Sequence, residues 1–571
     1  MSRPGPSLPP PSKKRKIGKD SEFTKSVKQL EDQLTVAATS NGSLNPLADL
    51  LELAFKADDA QDTSKAIYAL YRVFVIVING GKLAPGGDAA AKVVKTWLWE
   101  RLHSYVDFLC GLLKDEENVL RTSAMQILFS LQKHLSIGQF NVSHFKKIVS
   151  ALLICPPSRR ATQSSDGVLD ADVLHLFHET WFSVHDDVRW FFLREAGISI
   201  STAPQPANLL AILEGLTTFP TEKAELNAWW VSELGTKPKP SKKKASDDVS
   251  SDEEPETEEA EDDWRKFFED DVTTEKSTKP SARLHKLTIH QSLHSLASHR
   301  AVFTRAWLAL LPRLSGDKSL SSRALNVMHR GVMPHLTRPV LIMDWVGGCV
   351  DHGGSIGLLA LNALFVLMKE YNLDYPSFYT KLYAFLDRDV LHSKHRARFF
   401  RLTELFLSST HLPATLLASF IKRLARLSLS APPAAIVLII PLTYNTLKRH
   451  PALMLMIHRA ESNGSESSDP FDPTEPNPLL TKAIESSIWE LNSHREHYLA
   501  GVSTMAKIFS EAFTKQGYAM EDFLDHTYGT LFEADATRKI KKEPPVAIEM
   551  GKADVFSSET DVVTELWSFA S

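Results

Sequence analysis

The spacing of the apolar residues is what most constrains this chain. Leu47, Leu50, Leu51, Ala54 and Phe55 recur at intervals of three and four, as do Ala66, Leu70, Val73, Phe74 and Val77. That repeat lines one face of an α-helix, whereas a half-buried strand alternates with period two. Stretches at 93–113, 119–134, 142–153, 168–184, 188–195 and 206–219 share the pattern, and it resumes from 284 to about 532. No alternating run exceeds a few residues, and Asn41-Gly42 and Asp166-Gly167 fall between helical stretches rather than in hairpins. Successive helices of about 12–20 residues with short connections predict an all-α, HEAT- or armadillo-like helical-repeat solenoid.

Composition sets the limits around that architecture. Apolar residues make up 43% and charged residues 23% of 571, which excludes collagen-like, wholly disordered and disulfide-scaffold classes. Three cysteines, Cys110, Cys155 and Cys349, with no C-x-x-C motif, point to a reducing compartment and to no structural zinc. The longest apolar runs, 73–78 and 434–442, fall well short of the roughly 18 residues that cross a bilayer, so no membrane span is expected.

The helical pattern breaks at 236–280. Eleven acids and no bases lie between Asp247 and Asp263, a composition that buries too little apolar surface to order itself. The expected organisation is therefore a disordered basic tail (1–20), an N-terminal helical-repeat unit (21–235), a disordered acidic linker (236–280), a C-terminal helical unit (281–540) and a tail (541–571). Ser246, Ser250 and Ser251 precede acids and are candidates for acid-directed phosphorylation. Lys13, Lys14, Arg15 and Lys16 lie in a Pro-rich stretch with no apolar segment behind them; such a cluster reads as a nuclear localisation signal and not a secretory one.

The net charge of -4 conceals a segregation. Residues 281–460 carry 22 bases against 8 acids, and residues 461–571 carry 9 bases against 20 acids. A block at +14 is the footprint a polyanion sees. Within it Lys394, Arg398 and Arg401 fall on one face of a helix, and Lys422, Arg423 and Arg426 cluster on the next, opposite Leu417, Phe420, Ile421, Leu424 and Leu427. These six are the candidate contacts to RNA or to an acidic partner. The competing reading is that such side chains bridge neighbouring helices.

The run from Asn372 to Tyr383 (NLDYPSFYTKLY), followed by Arg396-Ala-Arg-Phe-Phe-Arg-Leu402 and Leu405-Phe-Leu-Ser-Ser-Thr-His-Leu-Pro413, is long and unusual. With 418–427, Ala431-Pro-Pro-Ala434, Leu447-Lys-Arg-His-Pro451, Ile488-Trp-Glu-Leu491, Ala506-Lys-Ile-Phe-Ser-Glu511 and 522–528, it closely resembles the CCAAT-binding-factor-like domain of the nucleolar complex protein 4 family, over about 340–540. The resemblance implies a non-enzymatic scaffold of the nucleolus. It implies assembly of the small ribosomal subunit and pre-rRNA processing within the small-subunit processome, as a complex with nucleolar protein 14. Asn372, Asp374, Tyr375, Pro376, His411 and Pro413 are expected to hold turns between helices of this domain. The alternative is a direct, sequence-independent pre-rRNA-binding protein that uses the basic block.

Catalytic motifs are weak. Gly353-Gly-Ser-Ile-Gly357 matches G-x-S-x-G, but a nucleophile elbow needs a strand before Ser355 and none is expected. His290 and His294, spaced i, i+4, lack the acidic or cysteine companions of a zinc site. Phe399, Phe400 and Phe406 sit at helical spacing and read as core. No cofactor is expected.

Overall fold

The computed structural model describes residues 22–40, 42–83, 89–137, 139–160, 166–236, 288–375, 377–393, 395–458 and 469–539. Every regular element among them is helical, as the apolar spacing requires. The chain divides into two compact units, Met1–Phe378 and Tyr379–Ser571.

In the first unit the helices are α1 (Glu22–Ser40), α2 (Pro46–Lys56), α3 (Ala60–Asn79), α4 (Ala89–Leu112), α5 (Asn118–Leu135), α6 (Val142–Ile154), α7 (Ala171–Phe177), α8 (Asp186–Ser199) and α9 (Pro206–Glu214). They continue as α10 (Ile289–Leu293), α11 (Leu296–Leu314), α12 (Lys318–Val327), α13 (Met343–Asp351) and α14 (Gly354–Glu370). Local chemistry sets their ends. Asp59 caps α3 by accepting from the backbone N–H groups of Gln61 and Asp62, and Asp317 caps α12 in the same way. Asn372, at φ 50°, turns the chain after α14 so that the Leu373 N–H reaches the Leu367 carbonyl.

Helices pack on neighbours one to three places along: α1 on α2 and α3, α3 on α5, α5 on α7, α6 on α8 and α9. That near-neighbour order defines a solenoid. Aromatic rings fill its seam, with Phe129 stacked on Trp181 at 4.2 Å and Phe140 on Phe191 at 3.8 Å. Each such ring removes about 150–250 Å² from water, roughly 4–6 kcal/mol at 25 cal/mol per Å². Gly215 permits one close approach, since a Cβ there would lie 2.6 Å from the His178 ring.

The stack does not stop at the acidic segment. α8 packs on α11, and α9 on α11 and α12, so the helices before 237 and those from α10 to α14 form one unit. Arg313 of α11 donates to the carbonyls of Ile200, Ser201 and Ala203, capping the open end of α8. The Leu234 carbonyl accepts from both His290 and His294, at 3.2 and 2.9 Å. The boundary expected at 236–280 is thus a change of composition and not a change of compact unit. Composition reports which residues can bury themselves; it does not report where the chain re-enters the stack. Residues 237–287, with Ser246, Ser250 and Ser251, lie outside the described residues, as do 1–21 with Lys13, Lys14, Arg15 and Lys16.

The second unit contains α15 (Phe378–Ala384, from Tyr379), α16 (Arg388–His392), α17 (Arg396–Leu407), α18 (Ala414–Ser428), α19 (Pro433–Arg449), α20 (Trp489–Ser493), α21 (Ala500–Ala506), α22 (Glu521–Leu524) and α23 (Tyr528–Thr537). α18 lies at its centre, touching α19, α20 and the 3-10 turns Pro451–Met456 and Ala483–Glu485. Pro413 and Pro432 sit just before α18 and α19, where a missing N–H costs nothing. A second cluster joins Ile436, Ile440 and Tyr444 of α19 to Val502 and Ala506 of α21.

Candidate functional site

The charged helices α17 and α18 are the natural place to look for a partner-binding face. The apolar side of α17 behaves as its spacing dictates: Phe399, Phe400, Leu402 and Phe406 are buried. α18 departs from expectation. Because elements cover it on several sides, residues Leu416 to Lys422, Leu424, Ala425 and Ser428 are all buried, and its basic cluster points largely into the unit.

Lys422 is 0% exposed. Its ammonium donates to Glu490 Oε1 at 2.7 Å and to the Ser487 carbonyl at 2.6 Å, and lies 3.0 Å from Asp469 Oδ2. Glu490, also 0% exposed, comes from α20. The Arg426 guanidinium lies 2.8 Å from both the Asp469 and the Glu490 carboxylates and 5.5 Å from the centre of the Trp489 ring. Arg423 donates to the Leu386 carbonyl at 2.7 Å and lies over the Tyr383 ring. On α17, Arg401 forms a two-pronged pair with Glu521 of α22, Nε to Oε1 at 2.7 Å. Arg398 is half-buried and partnered as well. Lys394 lies outside the described residues.

These distances match the competing reading, in which such side chains bridge neighbouring elements, for Arg401, Lys422 and Arg426. Asp469, Glu490 and Glu521 all belong to the acidic 461–571 block, so folding brings the two blocks together. Of the six candidate polyanion contacts, Arg401, Lys422 and Arg426 pair with carboxylates of their own unit and Arg423 with a backbone carbonyl, the Arg401 pair lying at the surface. The missed residues are Asp469, Ser486 and Glu490, and the signal for them was the acidic block that follows the basic one directly.

Electrostatics agree with the geometry. Burial alone would raise the Asp469 carboxyl, but the Ser486 hydroxyl, the Lys422 ammonium and the Phe471 N–H hold it well below the usual carboxylate range. In the first unit burial pushes the Asp187 carboxyl up to about 6, even though it accepts from the N–H groups of Val188, Trp230 and Val231. A buried lysine between two carboxylates acts as their structural counter-charge.

Beside this cluster opens a cavity of about 360 Å³, lined by Leu455, Met456, Ile457, Pro470 and Trp489 together with Asp469, Glu485 and two serines. Leu455 and Trp489 remain substantially exposed. The accessible Trp489 ring lies 5.7 Å from the Lys422 ammonium and 5.5 Å from the Arg426 guanidinium, within cation–π range of both.

The remaining candidates resolve as follows. Ser355 is exposed in the first turn of α14 behind Gly353 at φ 66°, so the G-x-S-x-G run is a helix-opening turn. His290 and His294 share a carbonyl, and among the described residues no group of His, Cys, Asp and Glu could hold a metal ion. Asp374 is exposed and Tyr375 half-buried in the turn after α14, His411 and Pro413 are exposed before α18, and Pro376 lies outside the described residues. Among the described residues no helix is long and apolar enough to cross a membrane.

Comparison with known proteins divides along the chain. Residues 17–203 match the family description "Nucleolar complex protein 4-like, TPR repeats" and residues 357–506 match the CBF/Mak21 family. An uncharacterized protein of Schizosaccharomyces pombe is 34% identical over 530 residues, 92% of this chain and 97% of its own length. The nucleolar complex protein 4 homolog of Mus musculus is 29% identical over 565 residues, 94% of this chain and 96% of that one. Nucleolar complex protein 4 of Saccharomyces cerevisiae is 42% identical over 293 residues, 47% of this chain and 52% of that protein.

Proposed function

Because the chain belongs to the nucleolar complex protein 4 family, we propose that it is a nucleolar ribosome-biogenesis factor that works as a non-enzymatic assembly scaffold. Its finer role is in the small-subunit processome, in pre-rRNA processing, as a complex with nucleolar protein 14. Nuclear entry is assigned to Lys13, Lys14, Arg15 and Lys16. The observation that carries the scaffold reading is the internal neutralisation of the α17 and α18 cations. With Lys422, Arg426 and Arg401 held by carboxylates of the same unit, docking falls to exposed apolar anchors such as Leu455 and Trp489. Surfaces of that kind bind protein. The rival reading, direct pre-rRNA binding by the basic block, needs those cations free.

The test is affinity purification of the tagged full chain from nuclear extract, with pre-rRNA analysis after depletion. The proposal expects co-purification of nucleolar protein 14 and small-subunit precursors, and accumulation of unprocessed small-subunit rRNA. Association with large-subunit precursors alone, or unchanged small-subunit processing, would contradict it. Trp489→Ala should reduce partner recovery while leaving the helical content intact.

A further inference from the structure

The helix α23 has no fully buried residue. Tyr528 and Phe532 are 61% and 75% exposed, Leu531 is half-buried, and the three fall at i, i+3 and i+4, on one side. A ten-residue helix is marginal in water without an apolar face to pack. Yet this one is carefully started. Thr527 and Thr530 exchange hydrogen bonds in a capping box, and Arg396 of α17 donates to the His526 carbonyl at 2.7 Å. The helix touches α19, and its exposed stripe has no cover among the described residues.

We propose that this stripe is the seat of the chain's own segment 561–569, which lies outside the described residues. In that segment Val562, Val563, Leu566, Trp567 and Phe569 share one side of a helical projection, and Asp561, Thr564, Glu565 and Ser568 share the other. The segment thus presents an apolar stripe that is long enough to cover the one on α23. Charge agrees at one end: α23 runs into Arg538 and Lys539, while Asp554, Glu559, Asp561 and Glu565 face one base, Lys552, over 550–570. Reach is ample. Residues 540–560 extend to about 70 Å at ~3.3 Å per residue, against about 15 Å for α23 itself. A tether of this length holds its ligand at an effective concentration on the order of millimolar. Docking in cis therefore precedes docking of a dilute partner, and a partner that uses this face must displace the segment. The inference stands apart from the proposed nucleolar role and uses none of the residues around Trp489.

Hydrogen exchange on the full chain tests it, compared with a chain ending at 544 and with Leu566→Asp in the full chain. The proposal expects the amides of 531–537 to lose about tenfold in protection in both variants, while those of α19 do not change. Equal exchange at α23 in all three proteins would overturn it, and so would loss in the truncation but not in Leu566→Asp. Protection that rises with protein concentration, together with a dimeric mass, would assign the face to a second copy and equally overturn the proposal.

Discussion

Replacing Lys422 by methionine probes the internal pairing most sharply. The substitution keeps an unbranched side chain, shorter by one heavy atom, and removes the ammonium, which faces Glu490 Oε1 at 2.7 Å, Asp469 Oδ2 at 3.0 Å and the Ser487 carbonyl at 2.6 Å. What remains is two carboxylates, one of them fully buried, facing the single guanidinium of Arg426. Breaking a buried pair by removing one member costs about 3–5 kcal/mol, because the other charge is left without compensation. The partial cover from Arg426 puts the expectation at the lower end, about 3 kcal/mol, or ~150-fold in the opening equilibrium. Exchange of the α18 amides in the full chain reads that opening directly and avoids treating two units as one cooperative transition. Lys422→Met combined with Glu490→Leu removes both buried charges and leaves Arg426 paired with Asp469, so it should recover most of the loss. A change below about 1 kcal/mol in the single variant, or no recovery in the double, would refute the argument that this lysine is a structural counter-charge.

Three further outcomes follow from the same structure. Asp469 is depressed in the folded state, so its contribution is present above the unfolded value of 3.8 and is lost as the pH falls below it; Asp469→Asn should flatten the acid limb of α18 opening measured by exchange. Replacing 237–287 by a short Gly-Ser linker should leave the thermal transition of the first unit in place, because Arg313 and the two histidines on Leu234 join its helices without that segment; loss of the transition would show that the segment is structural. Gly215→Ala, whose Cβ would meet the His178 ring at 2.6 Å, should destabilise the first unit by about 1–3 kcal/mol, checked by urea unfolding.

Much of the fold is legible in the sequence because helical periodicity is a local signal. The stretch expected at 93–113 is Ala89–Leu112, that at 119–134 is Asn118–Leu135 and that at 142–153 is Val142–Ile154. The stretch at 168–184 was harder. There α7 runs into a π-helical turn, His178–Phe182, whose five-residue spacing the apolar pattern does not reveal. The candidate site was legible only in part. Net charge over a segment counts charges without saying which of them meet. Arg401 finds Glu521 across 120 residues and Lys422 finds Glu490 across 68. A helix covered on several sides also defeats the rule that a basic cluster opposite an apolar stripe faces water: Lys422 is as buried as Leu424. The adjacency of oppositely charged blocks was the readable sign of that pairing.

The salt dependence of RNA binding by the full chain tests the central claim, that Arg401, Lys422 and Arg426 are paired within the fold, most directly. A protein that neutralises Z phosphates of a single strand loses affinity with a log–log slope of about −0.7Z, so six free cations would give roughly −4. The account predicts a slope that Arg401→Ala leaves unchanged, because that guanidinium is already paired with Glu521. A slope near −4 that Arg401→Ala makes measurably shallower would contradict it, and would return the α17 and α18 cations to the phosphate backbone.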